Sequence, residues 1–167
     1  MKIKVIAFDC FGTVFDMSNI SREEIAAYVN HVRKSDFSPF EFPESWFNLA
    51  AHPDSADGIL RLQEAGFMCV ALSNGSPSLL ESISAGSLIE WDYIVPLALH
   101  RVYKPHVDAY RTIEKDLGIP PPETLMVTAN PTFGDIEGAA AVGMQSQVIR
   151  HGHPNTIIEL AEMFLGV

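Results

Sequence analysis

The chain has 167 residues, 47% hydrophobic and 19% charged, which is enough apolar material for one domain core and too little charge for a disordered chain. Its 11 Lys and Arg against 21 Asp and Glu leave a formal charge of −10, which removes the basic footprint that nucleic acids or anionic membranes require. Two cysteines, Cys10 and Cys69, are too few for a disulfide framework, and no apolar run reaches the ~18 residues of a membrane span, so a reducing cytoplasm is the expected compartment.

Ile3 to Phe8 is a short apolar run of the kind that forms a buried parallel strand. It is too short for a signal-peptide core and leads to Asp9 instead of a cleavage site. Ser21-Arg22-Glu23-Glu24 is a capping box, and Ile25, Val29 and Val32 follow at helical spacing, which predicts a helix over about 21–34. Residues 35–52 are irregular and carry Phe37, Phe40, Phe42, Trp46 and Phe47, a set that suits packing over the core, a homodimer face or a substrate lid. Asp54 caps a helix that Gly66 ends, and Phe67 to Leu72 is the second strand. Ser76-Pro77 opens a helix closed by Gly86, and Tyr93 to Val95 is the third strand. Pro105 opens a helix with Tyr110, Ile113 and Leu117, ended by Gly118, and Leu125 to Thr128 is the fourth strand. A helix from about 135 to Gly143 precedes the fifth strand, Gln147 to Ile149. Asn155 caps a last helix with Ile158, Ala161 and Leu165 on one face.

Alternating apolar strands and capped helices predict an α/β fold: a doubly wound, Rossmann-like parallel sheet of about five strands. Residues 1–16 and 53–167 form its core, and 17–52 a small helical cap inserted at the mouth of the site.

Ligands of such sheets bind beyond the carboxyl ends of the strands. Those ends carry Asp9, Gly12 and Thr13; Ser73, Asn74 and Gly75; Lys104 and Tyr110; and Thr128, Asn130 and Asp135. A carboxylate such as Asp9 serves as a nucleophile when a cation keeps it ionised and positioned, and Lys104 is the natural cation. Gly12 lets the loop bring backbone N–H groups towards a substrate, and Thr13, Ser73 and Asn74 offer neutral donors for an anion.

The run Phe8-Asp9-Cys10-Phe11-Gly12-Thr13-Val14-Phe15-Asp16 resembles the first motif of the haloacid dehalogenase superfamily. Leu72-Ser73-Asn74-Gly75 resembles its second, Val102-Tyr103-Lys104-Pro105 with Tyr110 its third, and Asn130 with Asp135-Ile136-Glu137-Gly138-Ala139 its fourth. Many members of that superfamily are magnesium-dependent phosphatases, with a second Asp two residues after the nucleophile and another near the fourth motif. Here those places hold Phe11 and Asn130, which resembles the 2-haloacid dehalogenase branch. A halide leaves without a proton, so the chemistry tolerates the missing acid.

The resemblance implies that Asp9 attacks the halogen-bearing carbon of a small anionic substrate and that water then cleaves the resulting ester. It implies that Lys104 orients Asp9, and that Thr13, Ser73 and Asn74 hold the substrate carboxylate or the Asp9 carboxyl. Asn130 and Asp135 then position or activate the water, Tyr110 completes the wall, and Phe11 and Thr128 stand beside the substrate. No cofactor is implied for this branch. A magnesium-dependent phosphatase, with Asp9 and Asp135 as the metal ligands, is the alternative, and a catalytically idle binding module is a second. Dehalogenases of this type use an Arg to receive the halide, for which the short cap offers Arg22 and Arg33. His151 and His153 suit a surface turn or a metal pair. Cys10 is expected to point to the opposite face of the strand from Asp9.

Overall fold

A computed structural model describes residues 2–152 and 156–166. Strands β1 (Val5–Phe8), β2 (Met68–Ala71), β3 (Tyr93–Ile94), β4 (Thr124–Thr128) and β5 (Gln145–Val148) form one parallel sheet in the order β3-β2-β1-β4-β5. β1 is central, and its last residue, Phe8, pairs with Ala71 on one side and Val127 on the other. The chain runs outward from β1 through β2 to β3, then crosses back to build β4 and β5 on the other side. The carboxyl end of β1 is therefore the point where the winding reverses, and a crevice opens there.

Strand side chains alternate between faces, so each inner strand feeds two cores. Ile6, Phe8, Cys69, Ala71, Leu125 and Val127 face one layer with Ile59 and Leu62 of α2 (Ser55–Glu64), Leu79, Leu80 and Ile83 of α3 (Pro77–Gly86), and Ile157, Leu160 and Ala161 of α7 (Ile157–Leu165). Val5, Ala7, Val70, Leu72 and Met126 face the other. There they meet Leu97 of α4 (Leu97–His100), Ile113 of α5 (Thr112–Leu117) and Ala139 of α6 (Asp135–Val142). Each such large apolar side chain contributes about 1.5–3 kcal/mol on leaving water. This is the doubly wound α/β architecture expected from the alternation of the sequence.

Segment 17–52 begins with α1 (Arg22–Val32), whose N-cap Ser21 Oγ accepts from Glu24 N at 3.2 Å. A 3₁₀ turn, Glu44–Asn48, follows in the stretch read as irregular. The segment's two ends are stitched together beside β1: Asp16 N donates to Ala50 O at 2.9 Å and His52 N to Val14 O at 2.9 Å. Its aromatics pack. Phe42 and Trp46 lie 5.7 and 5.0 Å from the Phe11 ring, Phe40 lies against Tyr28 and Phe42, and Phe37 stacks obliquely on Tyr103. Phe47, at 39% exposure, is the one that stays open.

Several expectations need correction. The helix expected from Pro105 is a 3₁₀ turn, Val107–Arg111, followed by α5. Asp54 does not cap α2 with its side chain; Oδ2 accepts from Ile158 N at 3.3 Å and ties α2 to the first turn of α7. β5 starts two residues earlier than expected, and its polar Gln145-Ser146-Gln147 is tolerated because it is an edge strand paired on one side only. The buried face of α7 is Ile157, Leu160 and Ala161, while Leu165 is exposed. Thr156 Oγ1 caps this helix by accepting from Glu159 N at 3.3 Å; Asn155, expected to do so, and His153 lie outside the described residues. Among the described residues no helix is long and apolar enough to cross a membrane.

Candidate active site

Asp9 follows β1 directly, and its backbone N–H still donates to Val127 O at 3.0 Å, so the ladder fixes where its side chain leaves the sheet. The residue is only 7% exposed. Its two carboxylate oxygens have different surroundings. Oδ2 accepts from Thr13 Oγ1 (2.8 Å), Thr128 Oγ1 (3.2 Å) and Asn130 Nδ2 (2.8 Å). Among the described residues Oδ1 accepts from Lys104 Nζ alone, at 3.1 Å. Each donor is itself held: Ala129 N donates to Thr13 Oγ1, Asn130 N to Thr128 Oγ1, and Asn130 Nδ2 also reaches Phe11 O. Gly12, at φ 85°, makes this turn; an added Cβ would stand 3.1 Å from Asn130 Nδ2.

Lys104 is 1% exposed and bridges two carboxylates, Asp9 and Asp135, the latter at 3.2 Å from Oδ1 and 3.3 Å from Oδ2. Burial disfavours its ammonium, but Asp135 and Asp9 outweigh burial and hold its pKa well above the usual lysine value. Lys104 is therefore charged at any physiological pH. Asp135 is fully buried, and burial raises its pKa, opposed by Lys104 and by the Tyr110 hydroxyl, which donates to Oδ1 at 2.6 Å. Tyr110 is buried in turn against α6, where a Cβ on Gly138 would overlap its ring.

All the residues picked out at the strand ends converge here, but not all in the expected place. Asn74 does not face a ligand: its Nδ2 donates to Lys104 O at 2.9 Å and its Oδ1 accepts from Lys104 N at 2.7 Å, clamping the backbone that carries the ammonium. Ser73 Oγ accepts from Gly75 N at 3.1 Å and shapes the turn after β2. Tyr110 and Asp135 stand behind Lys104 and form no part of the pocket wall. Cys10 is buried in the core, and its thiol pKa is pushed up by burial and by Asp9.

A pocket of about 380 Å³ opens over Asp9. Its floor is Asp9, Gly12 and Asn130, and its walls are Phe11, Met17, Ile25, Tyr28, Val29 and Phe133. Asn130 Oδ1 has no protein donor among the described residues and is free to hold a water. Asp9 is the one carboxylate in the lining. Phe11 buries its ring edge-on against Tyr28 and Trp46.

Three contributors escaped the motifs. Tyr28 projects from α1 towards Lys104, Asn74 and Asp9, and burial pushes its phenol pKa up. Arg33 sits on the rim, with a guanidinium N–H donated to Phe133 O at 2.8 Å and its Cζ 5.1 Å from the centroid of the Phe133 ring. Of the two arginines considered for an anion, Arg33 reaches the pocket and Arg22, at the exposed start of α1, does not. Phe133 closes the wall from the loop after β4. Spacing along α1 could have signalled Tyr28, one turn from Ile25 and Val32; nothing local signals Phe133.

The donor set does not fit a magnesium ion shared by Asp9 and Asp135. Both carboxylates already bond the Lys104 ammonium, and Asn130 turns an N–H donor, not an oxygen, towards Asp9. Among the described residues no three His, Cys, Asp or Glu side chains are grouped to hold a metal.

No family model matches the chain. Haloacetate dehalogenase H-2 of Moraxella sp. (strain B) is 30% identical over 190 aligned positions that cover 86% of this chain and 84% of that protein. The chain belongs to the haloacid dehalogenase family. The (S)-2-haloacid dehalogenase of Xanthobacter autotrophicus is 29% identical over 136 residues, 79% of this chain but 52% of that one, so the chain matches about half of this relative's length. An alignment of 190 positions against 167 residues means that the Moraxella relative carries residues this chain lacks. Among solved structures, a defluorinating L-2-haloacid dehalogenase superposes with a TM-score of 0.76 at 22% identity, covering 98% of this chain and 95% of that one. The L-2-haloacid dehalogenase of Xanthobacter autotrophicus with chloropropionic acid covalently bound gives 0.70 at 23%, covering 98% and 83%. These superpositions establish the family's shared fold.

Proposed function

We propose that this chain is a hydrolase that removes halide from a small halogenated carboxylic acid through an ester on Asp9. The observation that carries this reading is a pocket with one carboxylate and no second acid: Asp9 lines the floor, and the place two residues on is a buried phenylalanine. A nucleophile without a second carboxyl to protonate the leaving group suits one that departs as a stable anion.

Asp9 Oδ1 is assigned as the attacking atom, because Oδ2 already accepts three hydrogen bonds while Oδ1 accepts one. Its lone pair forms the bond to the halogen-bearing carbon as the carbon–halogen pair leaves with the halide. Oδ2 becomes the ester carbonyl. Water then attacks Cγ, negative charge collects on Oδ2, and Thr13, Thr128 and Asn130 are in place to stabilise it. The Cγ–Oδ1 bond breaks, one proton of the water passes to Oδ1 so that a 2-hydroxy acid leaves, Asp9 keeps the oxygen from water as a carboxylate, and the second proton is released to solvent. Asn130 Oδ1 orients the water. Asp135 and Tyr110 act through Lys104, and Asn74 acts through its backbone. Arg33 is the rim cation for the substrate carboxylate or the departing halide and, among the described residues, the one cation in the lining of this pocket. Two buried free thiols support the cytoplasm as the compartment.

The test is halide release from 2-chloropropionate in EDTA, beside p-nitrophenyl phosphate turnover with excess magnesium. Chloride release in EDTA, lost in Asp9→Asn, is the expected result. With enzyme in excess in ¹⁸O-water, the first-turnover product should carry no label and Asp9 should gain it. Label in the first product, or phosphatase turnover that EDTA abolishes and no chloride release, overturns the reading.

A further inference from the structure

A separate cavity of about 290 Å³ lies where the end of α1 and residues 34–37 meet the loop 100–106 and α5. It shares no lining residue with the pocket over Asp9. Its wall gathers Lys34, Arg101 and Lys115 with His31, His100 and His106, half of the chain's six histidines. In a chain of charge −10 this is a local reversal of sign.

The carboxylates nearby are mostly committed. Asp108 accepts from Arg111 at 2.7 Å, and Asp116 accepts from Tyr93 at 2.7 Å and pairs with His100 at 2.9 Å. Among the described residues no carboxylate lies within ion-pair distance of Lys34, Arg101 or Lys115. Asp36 is, among the described residues, the lining carboxylate left without a cationic partner, against the three cations Lys34, Arg101 and Lys115, so positive charge is in excess at this wall. Arg101 is held in the left-handed region at φ 55°, with its guanidinium 5.1 Å from the Phe37 ring. His31 Nε2 and His106 Nε2 contact the carbonyl oxygens of Ser38 (2.6 Å) and Lys34 (3.0 Å). A carbonyl only accepts, so each Nε2 carries the hydrogen and each ring is oriented.

We infer that this cavity is a second anion site, taking a small ligand that bears a phosphate-type dianion. A concave wall with positive charge in excess concentrates an anion, three cationic side chains offer several donors to the oxygens of a dianion, and the volume sits at the small end of ligand pockets. The bound anion would tie residues 34–37 to the loop that carries Lys104, two residues beyond Val102 in the lining.

The experiment is calorimetric titration of the full chain in EDTA with inorganic phosphate and, separately, glycerol phosphate, against chloride at equal ionic strength. Saturable phosphate binding is expected, weakened about tenfold or more in Lys34→Ala/Lys115→Ala, with halide release by that variant unchanged. Tighter binding of the ester identifies a phosphorylated metabolite as the ligand, and equal binding identifies the free anion. Should the double variant fail to fold, the charge reversal Lys115→Glu gives the same readout. No saturable binding to the wild type, or undiminished binding in the variants, overturns the proposal.

Discussion

Replacing Lys104 by methionine keeps the stem and deletes the charge. Its Nζ lies 3.1 Å from Asp9 Oδ1 and 3.2 Å from Asp135 Oδ1, with the side chain 1% exposed and that of Asp135 fully buried. Removing one partner from a buried ion pair costs about 3–5 kcal/mol, because the charge left behind has no water to turn to. That is a large share of a total stability of about 5–15 kcal/mol. At about 2–4 °C per kcal/mol for a chain of this size, the melting temperature should fall by roughly 6–20 °C. The loss should depend on pH. Burial already raises the Asp135 pKa, and Lys104 is the main opposing influence. Without it, folded Asp135 holds its proton to higher pH than the unfolded chain does. Between those two pKa values the native state binds more protons, so stability falls as pH rises. The variant should thus be closest to wild type near the ordinary aspartate range and weakest near neutrality. Asp135→Asn in the Lys104→Met background should restore much of the stability and none of the halide release. Urea denaturation across pH measures this. A loss below about 1 kcal/mol, or one that ignores pH, would refute the bridging role of Lys104.

Asn130→Ala removes one of three donors to Asp9 Oδ2, so ester hydrolysis should slow by about 10²–10³ and the substrate-derived mass should accumulate on Asp9 in intact mass spectrometry; a slower halide burst with no accumulation would contradict the assignment of Oδ2. Tyr110→Phe deletes the donor to buried Asp135 and should cost about 1–3 kcal/mol by chemical denaturation, whereas an unchanged midpoint would mean that the hydroxyl contributes nothing. Gly138→Ala should lower stability by about 1–3 kcal/mol despite alanine's better helix propensity, since the methyl overlaps the Tyr110 ring; a higher melting temperature would show that α6 can move away.

The alternation of apolar runs with capped helices was enough to specify a parallel doubly wound sheet, because the inner strands of such a sheet must be apolar on both faces and each helix must start and stop on local chemistry. The Asp9, Lys104, Asn130 and Asp135 motifs were legible for a related reason: Asp9 and Asn130 stand just beyond strand ends, and Lys104 and Asp135 follow β3 and β4 later in the same connections, an order that the sequence itself carries. What the tertiary structure decided was the division of labour among them. Asn74 and Lys104 are 30 residues apart, and only the packing of the turn after β2 against the loop after α4 turns the amide onto the lysine backbone instead of towards a ligand. Tyr110 falls behind Asp135 because Gly138 admits its ring against α6. Arg33 and Phe133 are 100 residues apart, and no periodicity links them. Hydrophobic period and capping act over a few residues and are written locally. Hydrogen-bond partners across the crevice are set by which strands lie side by side, a choice made only when the whole core closes.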